Sequence, residues 1–401
     1  MEMITGDQIH EIVRSRKDDI LRCLSQAIQI PSEQTYNIDD ATDGRCGKVF
    51  TKWLRSFGFE PMVLGINEDR LNVLCDWKGT QAGPTFLFNG HLDTHPRPPT
   101  EGEHGLFSGD ITDEYVYGVG ASNMKSGNTC ALFAMGLLKE MGFDPKGTIT
   151  YSLVVDEQNG GVKGARWLMA RGYLKSDFGI SMDVSDKKLG VEIGALGKYF
   201  ITYRSAPAPA HRPHPSTDAL LKSMRAVNAL LEYREEFIKP IPGCNLKQNM
   251  SLTTFHGGHA ANTYADRCTF TIDCRIAPPR TPETVRQDFI AILDGLKERY
   301  DEMDYELYMP IPKPAMLVPE DSPIVKACDE AGMEMFGKPL GRSRHMGGQD
   351  AERIHEKWGT IMPILSPSMF ESIAQPDERV SIEDMLSTTE LYMRILIKMM
   401  G

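Results

Sequence analysis

Between residues 198 and 311 the spacing of apolar residues switches four times between the repeat of a strand and that of a helix. KYFITYRS (198–205) alternates as a strand, and TDALLKSMRAVNALLEYREEF (217–237) carries its apolar residues at helical spacing. NMSLTTFHG (249–257) and RCTFTIDCRI (267–276) read as two strands, PETVRQDFIAILDGLKERY (282–300) as a helix and YELYMPI (305–311) as a last strand. The order β-α-β-β-α-β is that of a split ferredoxin-like unit. On both sides strands and helices alternate differently. A helix over 7–30 is followed by short apolar runs at 71–77, 85–90, 148–155 and 178–184, with a helix over 124–141 between them. That alternation predicts an α/β layer on a mixed, mostly parallel sheet. The expected organisation is an α/β domain of residues 1–194 and 308–401, interrupted by an inserted α+β domain at 195–307.

Composition removes several classes of function. The chain has 401 residues, 41% of them hydrophobic, and its mean hydropathy is −0.31. Its apolar runs are too short to span a bilayer, so no membrane partner is expected. The formal charge of −11 argues against nucleic acid as a partner. The eight cysteines form no C-x-x-C pair, and the first residues, MEMITGDQIHEIVRSRKDD, lack an apolar leader segment. A cytoplasmic protein with reduced thiols is the expectation.

Ligands bind at the carboxyl ends of strands in open α/β sheets. Three predicted strands end in polar clusters: FNGHLDT with His91 and Asp93, VVDEQNGG with Asp156, Glu157 and Gln158, and SMDVSD with Asp183. A fourth cluster, VGASNMKSG, opens the helix after Asn123. One such cluster is ordinary, whereas four on one sheet indicate a site.

Seven segments in order resemble the M20 metallopeptidase family, which includes acetylornithine deacetylase, succinyl-diaminopimelate desuccinylase, aminoacylase and carboxypeptidase G. They are GHLDT (90–94), GVGASNMKSG (118–127), DEQNGG (156–161), AHRPHP (210–215), GGHAANTYADRCTFTIDCRI (257–276), GGQDAER (347–353) and IAQPDERVSIEDM (373–385). The resemblance implies two divalent ions, usually zinc, that act on an amide or peptide bond beside a carboxylate-bearing group. It makes Glu157 the general base and His211 an oxyanion-stabilising histidine of the insert, with His214 as its rival. It gives Asn262 and Arg275 to the substrate, and Arg suits a bidentate grip on a carboxylate. It makes the insert a lid and a dimerisation domain, so a homodimer is expected.

The five metal-ligand positions implied by the resemblance are His91, Asn123, Gln158, Asp183 and Ala374. The family has Asp, Glu and His where this chain has Asn123, Gln158 and Ala374. Val119 and Ser126 depart as well. Asp93 is placed to orient His91, and Asn123 and Gln158 become candidates for substrate contact. Two dications about 3.5–4 Å apart repel by roughly 17–19 kcal/mol at an effective dielectric of 20. One remaining carboxylate ligand does not offset that. The expected cofactor is therefore none, or one zinc-like ion on His91 and Asp183, with His95 or His345 as a third ligand. The leading reading is hydrolysis of a C–N bond in a small carboxylate-bearing substrate. A metal-independent lyase or isomerase using Glu157, and an inactive binding protein, are the alternatives.

Overall fold

The computed structural model describes residues 4–34, 42–96, 98, 100–212 and 218–401. The chain divides into two compact units. The first comprises residues 1–191, 318–343 and 349–401, and the second 192–317 and 344–348. The inserted unit thus ends about ten residues beyond the expected boundary at 307/308 and takes up a short later segment. No helix among the described residues is long and apolar enough to cross a membrane.

In chain order the first unit runs α1 (Gly6–Ser15), α2 (Lys17–Ile28), α3 (Gly47–Ser56), β1 (Met62–Gly65), β2 (Leu71–Lys78), β3 (Gln81–His91), β4 (Tyr115–Tyr117), α4 (Ser126–Glu140), β5 (Lys146–Val154), α5 (Ala165–Met169) and β6 (Phe178–Ser181). β7 (Leu189–Ile193) carries the chain into the second unit. That unit contains β8 (Ala195–Arg204), α6 (Ala219–Phe237), β9 (Asn249–Gly257), β10 (Arg267–Ile276), α7 (Pro282–Lys297), β11 (Tyr305–Tyr308) and β12 (Met316–Leu317). The first unit resumes with α8 (Pro323–Phe336), β13 (Arg342–His345), whose last two residues belong to the second unit, α9 (Ala351–Trp358), β14 (Arg379–Ser381) and α10 (Ile382–Met400).

The main sheet of the first unit has the order β1-β2-β5-β3-β6. β3 is parallel to β5 and β6, whereas β1-β2 and β2-β5 are antiparallel. The expectation of a mostly parallel sheet is thus corrected to an even mixture. The cause is local: only residues 66–70 join β1 to β2, and so short a link permits an antiparallel hairpin but no parallel crossover. The helix expected over 7–30 is two helices, broken at Arg16, where φ −104° and ψ 13° leave the helical region. α4 is buried on every side from Ser126 to Leu138. Phe133 packs on Trp53 and Phe57, and α10 brings Tyr392 against Phe88 of β3. A helix apolar all round belongs in the middle of a layer, which is where α4 lies.

The second unit is an antiparallel sheet of order β11-β8-β10-β9, with α6 and α7 packed on it. Tyr199, Ile201 and Tyr203 of β8 alternate inward with Phe270, Ile272 and Cys274 of β10. They meet Leu230 and Phe237 of α6 and Val285, Phe289 and Leu293 of α7. Thr281 caps α7 by accepting the Thr284 N–H, with Pro282 in the first turn, where its missing N–H costs nothing.

Candidate functional site

Three parallel strands deliver the first set of polar side chains. β3 ends at His91, β5 at Val154 just before Glu157, and β6 at Ser181 just before Asp183. All three polar residues are buried. His91 Nδ1 lies 2.7 Å from the carbonyl oxygen of Asp93, so the ring donates its Nδ1–H there. Its Nε2 lies 3.9 Å from Glu157 Oε2 and 4.0 Å from Asp183 Oδ2, and has no hydrogen-bond partner. Burial opposes charge on His91, but Asp93, Glu157 and Asp183 outweigh it and push its pKa up to about 9. The three carboxylates favour a protonated His91.

Asp93 holds His91 through its backbone carbonyl, and its carboxylate has a second task. Its nearer oxygen is 3.7 Å from the imidazole, which is held by the backbone carbonyl. Its Oδ1 instead accepts the Glu157 N–H at 3.1 Å and its Oδ2 the Gln158 N–H at 2.8 Å. Asp93 therefore clamps the loop that carries the base. Asp43 works beside it: it pairs with the fully buried Arg70 at 2.9 Å and accepts the Asp156 N–H at 2.9 Å. Asp156 has φ +67°, a left-handed conformation that Asp tolerates better than most residues, and its carboxylate accepts the Lys163 N–H. Gln34 joins the two clamps by donating to Asp43 and Asp93, at 3.1 Å each. Burial pushes Asp43 up, against the pull of Arg70.

Asn123 lies in the irregular turn 121–125 before α4. Its N–H donates to Glu378 Oε1, which also accepts the Gly120 and Ser122 N–H groups. The side-chain Oδ1 of Asn123 is buried without a partner. Gln158 is tied down, with Nε2 donating to Glu157 Oε2 at 3.0 Å. Asp183 Oδ1 accepts the Val184 N–H at 2.7 Å. Ala374 offers no donor atom from its side chain; its N–H is 3.4 Å from Glu378 Oε2. Burial pushes Glu378 up, while the four N–H groups pull it down. Lys125 is fully buried and donates to the carbonyls of Ala27 and Ile30, which makes it a structural tie between α4 and α2.

Asp43, Gln34, Arg70 and Glu378 were not singled out from the sequence. Glu378 lies inside a recognised motif, and that was the one available signal. Arg353 of α9 is also buried, with Nε and Nη2 unpartnered, and it interacts with Asp350, Arg166, Glu352 and Glu157.

The remaining expected residues belong to the second unit. His211 is exposed, and the Ala210 N–H beside it donates to the Asn262 carbonyl at 2.9 Å, so the two candidate segments lie together. His214 lies outside the described residues. Arg275 of β10 is fixed by Asp273 at 2.9 Å through Nε and by the Met346 carbonyl at 2.9 Å through Nη1. His345 is part of this unit too, whereas His95 shares the surroundings of His91, which together with burial lowers its pKa.

The donor set can be tested against a metal pair. Among the described residues no group of three or more His, Cys, Asp or Glu side chains could hold a metal ion. Zinc at about 2.1 Å from both His91 Nε2 and either carboxylate oxygen would need an angle of about 136–144°, far from tetrahedral. Asn123 is neutral, and the Gln158 amide is engaged with Glu157. These residues do not fit two dications.

A profile of Peptidase family M20/M25/M40 matches residues 87–398. The succinyl-diaminopimelate desuccinylase of Hydrogenovibrio crunogenus is 26% identical over 400 residues, covering 94% of this chain and all of that one. Among solved structures, an M20 family metallo-carboxypeptidase from Sulfolobus solfataricus aligns with a TM-score of 0.78 at 15% identity, covering 95% of this chain and 99% of that one. A dinuclear metal-binding peptidase of the family from Bacillus subtilis aligns at 0.70, with 15% identity and 96% and 98% coverage. Relatives of this kind use divalent metals. With strand-end His91, Glu157 and Asp183 in place and the profile spanning most of its length, the chain belongs to the M20 peptidase family and is an M20-type hydrolase.

Proposed function

We propose that this chain hydrolyses an amide-type C–N bond in a small carboxylate-bearing compound, without the dinuclear metal pair of its relatives. The observation that carries the reading is the buried Glu157 carboxylate, fixed through its own N–H by Asp93 and facing His91 Nε2 at 3.9 Å. Glu157 takes a proton from water, the hydroxide adds to the acyl carbon, and Glu157 returns the proton to the leaving nitrogen as the C–N bond breaks. The products are a carboxylate and an amine. A Lewis acid would supply several kcal/mol of charge stabilisation; without it the substrate is an activated acyl compound, not an ordinary peptide. The 26% identity to a desuccinylase supports N-acyl substrates bearing a carboxylate.

The second unit supplies the other roles in this reading: His211 polarises the acyl oxygen, and Asn262 and Arg275 hold the substrate. The Ala210–Asn262 hydrogen bond and the two fixed nitrogens of Arg275 support rigid presentation of these groups. We also propose that this unit is a lid and pairs with a second copy. β9 is an edge strand with exposed Leu252 and Phe255, and α6 exposes Leu221, Met224 and Leu231. Such an edge calls for cover.

The test is turnover of activated acyl compounds bearing a carboxylate, such as N-succinyl anilides and N-succinyl imidazole, alongside N-succinyl, N-acetyl and peptidyl amino acids, by protein purified without added metal, with elemental analysis of the same sample. Hydrolysis at substoichiometric metal, abolished by Glu157→Gln, is the expected result. Activity that tracks two ions per chain overturns the metal-free part. Absence of turnover across the panel, or turnover indifferent to Glu157→Gln, overturns the hydrolytic reading.

A further inference from the structure

We propose that a groove between α3 and the β1-β2 hairpin binds a carboxylate carrying a short alkyl chain, with its head on Lys48, Lys52 and Arg55 and its chain on Val63, Leu71 and Val73. The groove shares no lining residue with the polar strand ends, and the proposal does not rest on the hydrolytic reading.

The cations come from one helix. α3 is GKVFTKWLRS, with basic residues at Lys48, Lys52 and Arg55 and no acidic one. Lys52 lies four positions after Lys48 and three before Arg55, so the three share one face, each about a turn from the next. All three are exposed, and among the described residues none has an ion-pair or hydrogen-bond partner for its side chain. Their neighbours differ. Arg14, Arg16, Arg22 and Arg45 pair with Glu383, Glu140, Asp19 and Asp69 respectively. A chain with a formal charge of −11 has acidic residues to spare, so three cations left open on one helix face form an anion-attracting stripe.

The floor beneath them is apolar. Val63 of β1 lies opposite Val73 of β2, and Leu71 is two residues from Val73, so all three point to the same face of the hairpin. These side chains and the three cations line a groove of about 240 Å³ that has no acidic residue in its lining. Glu60 shares a separate pocket with Arg55, outside this groove. The volume is below that of a pocket for a drug-sized ligand. Long basic side chains lay their apolar stems along such a floor and keep their charges at its rim. The complementary ligand has one anionic head, seated at Lys52 within reach of both flanking cations, and a short apolar chain that covers the valines and Leu71.

The experiment is a calorimetric titration of the full-length protein at low salt with acetate, hexanoate, octanoate and hexylammonium. Saturable binding of hexanoate is expected, strengthened about twofold to fourfold by each added methylene. Acetate has the charge without the chain, hexylammonium has the chain with the opposite charge, and neither is expected to bind. Lys48→Glu combined with Lys52→Glu should weaken octanoate about tenfold or more. Val63→Glu, at an exposed position of an edge strand, should do the same and guards against a misfolded double variant. Lys239→Glu, a matched charge change in the second unit, should leave the affinity unchanged. Equal affinity for acetate and octanoate, or for hexylammonium and hexanoate, overturns the proposal. So does octanoate binding that survives both groove variants, because the ligand then sits elsewhere, the polar strand ends included. Binding to phosphatidylglycerol vesicles that the groove variants abolish, without binding of free octanoate, also overturns it and gives the stripe to a lipid surface. Turnover of the acyl panel decides the hydrolytic reading separately, whichever way octanoate behaves.

Discussion

Two kinds of buried carboxylate occur in the first unit. Asp43, Asp93 and Glu378 are filled by backbone N–H groups and, for Asp43, by Arg70. Glu157 and Asp183 instead turn an oxygen toward His91 Nε2 across a gap of about 4 Å. The first group builds loops and the second faces inward around His91. The pocket's walls and its contents can therefore change separately.

That separation can be broken by substitution. The largest expected effect is on turnover: Glu157→Gln lowers kcat by about 10²–10⁴-fold, with stability unchanged to within about 1 kcal/mol. Steady-state kinetics and urea melts on the same preparation check both halves. Next comes the wall: Asp43→Ala takes from the buried Arg70 its partner at 2.9 Å, leaving Asp156 at 3.9 Å, and is expected to destabilise the fold by about 3–5 kcal/mol in chemical denaturation. Asp93→Ala removes an acceptor from the Glu157 and Gln158 N–H groups, and a loss of about 1–3 kcal/mol is expected. If Asp93→Ala left both stability and kcat untouched, the distinction between wall and contents would collapse. The smallest effect is expected at the exposed Arg45–Asp69 pair beside the same loop, where Arg45→Ala should shift stability by less than about 1 kcal/mol. A fifth probe addresses the second unit: Leu252→Ser with Phe255→Ser should convert a dimer to a monomer in sedimentation.

Much of the architecture was legible because period and burial agree. β8, α6, β9, β10 and α7 fall within a few residues of their predicted spans, since each buries one alternating face or one helical stripe. The break at Arg16 was not legible, because Arg is a good helix former and neither Gly nor Pro marks the spot. β1, β4 and β14 were missed; each is three or four residues long and carries little periodicity. In the site, strand ends pointed to His91, Glu157 and Asp183. The clamps were hidden because their meaning depends on contacts across the chain: Asp43 meets the Asp156 N–H from 113 positions away, and Glu378 meets Asn123 from 255. No local pattern encodes such pairs, nor the reach of the Asp93 carboxylate to the Glu157 and Gln158 N–H groups.

The Glu378 carboxylate gathers N–H groups from Gly120, Ser122, Asn123 and Ala374. It therefore sets a clock on biosynthesis. The strands bearing His91, Glu157 and Asp183 leave the ribosome well before Glu378 does, so the Asn123 turn waits, half-made, while the intervening unit is translated. Chains stalled before Glu378 are expected to be cut by protease near residues 118–125, and chains carrying α10 to resist.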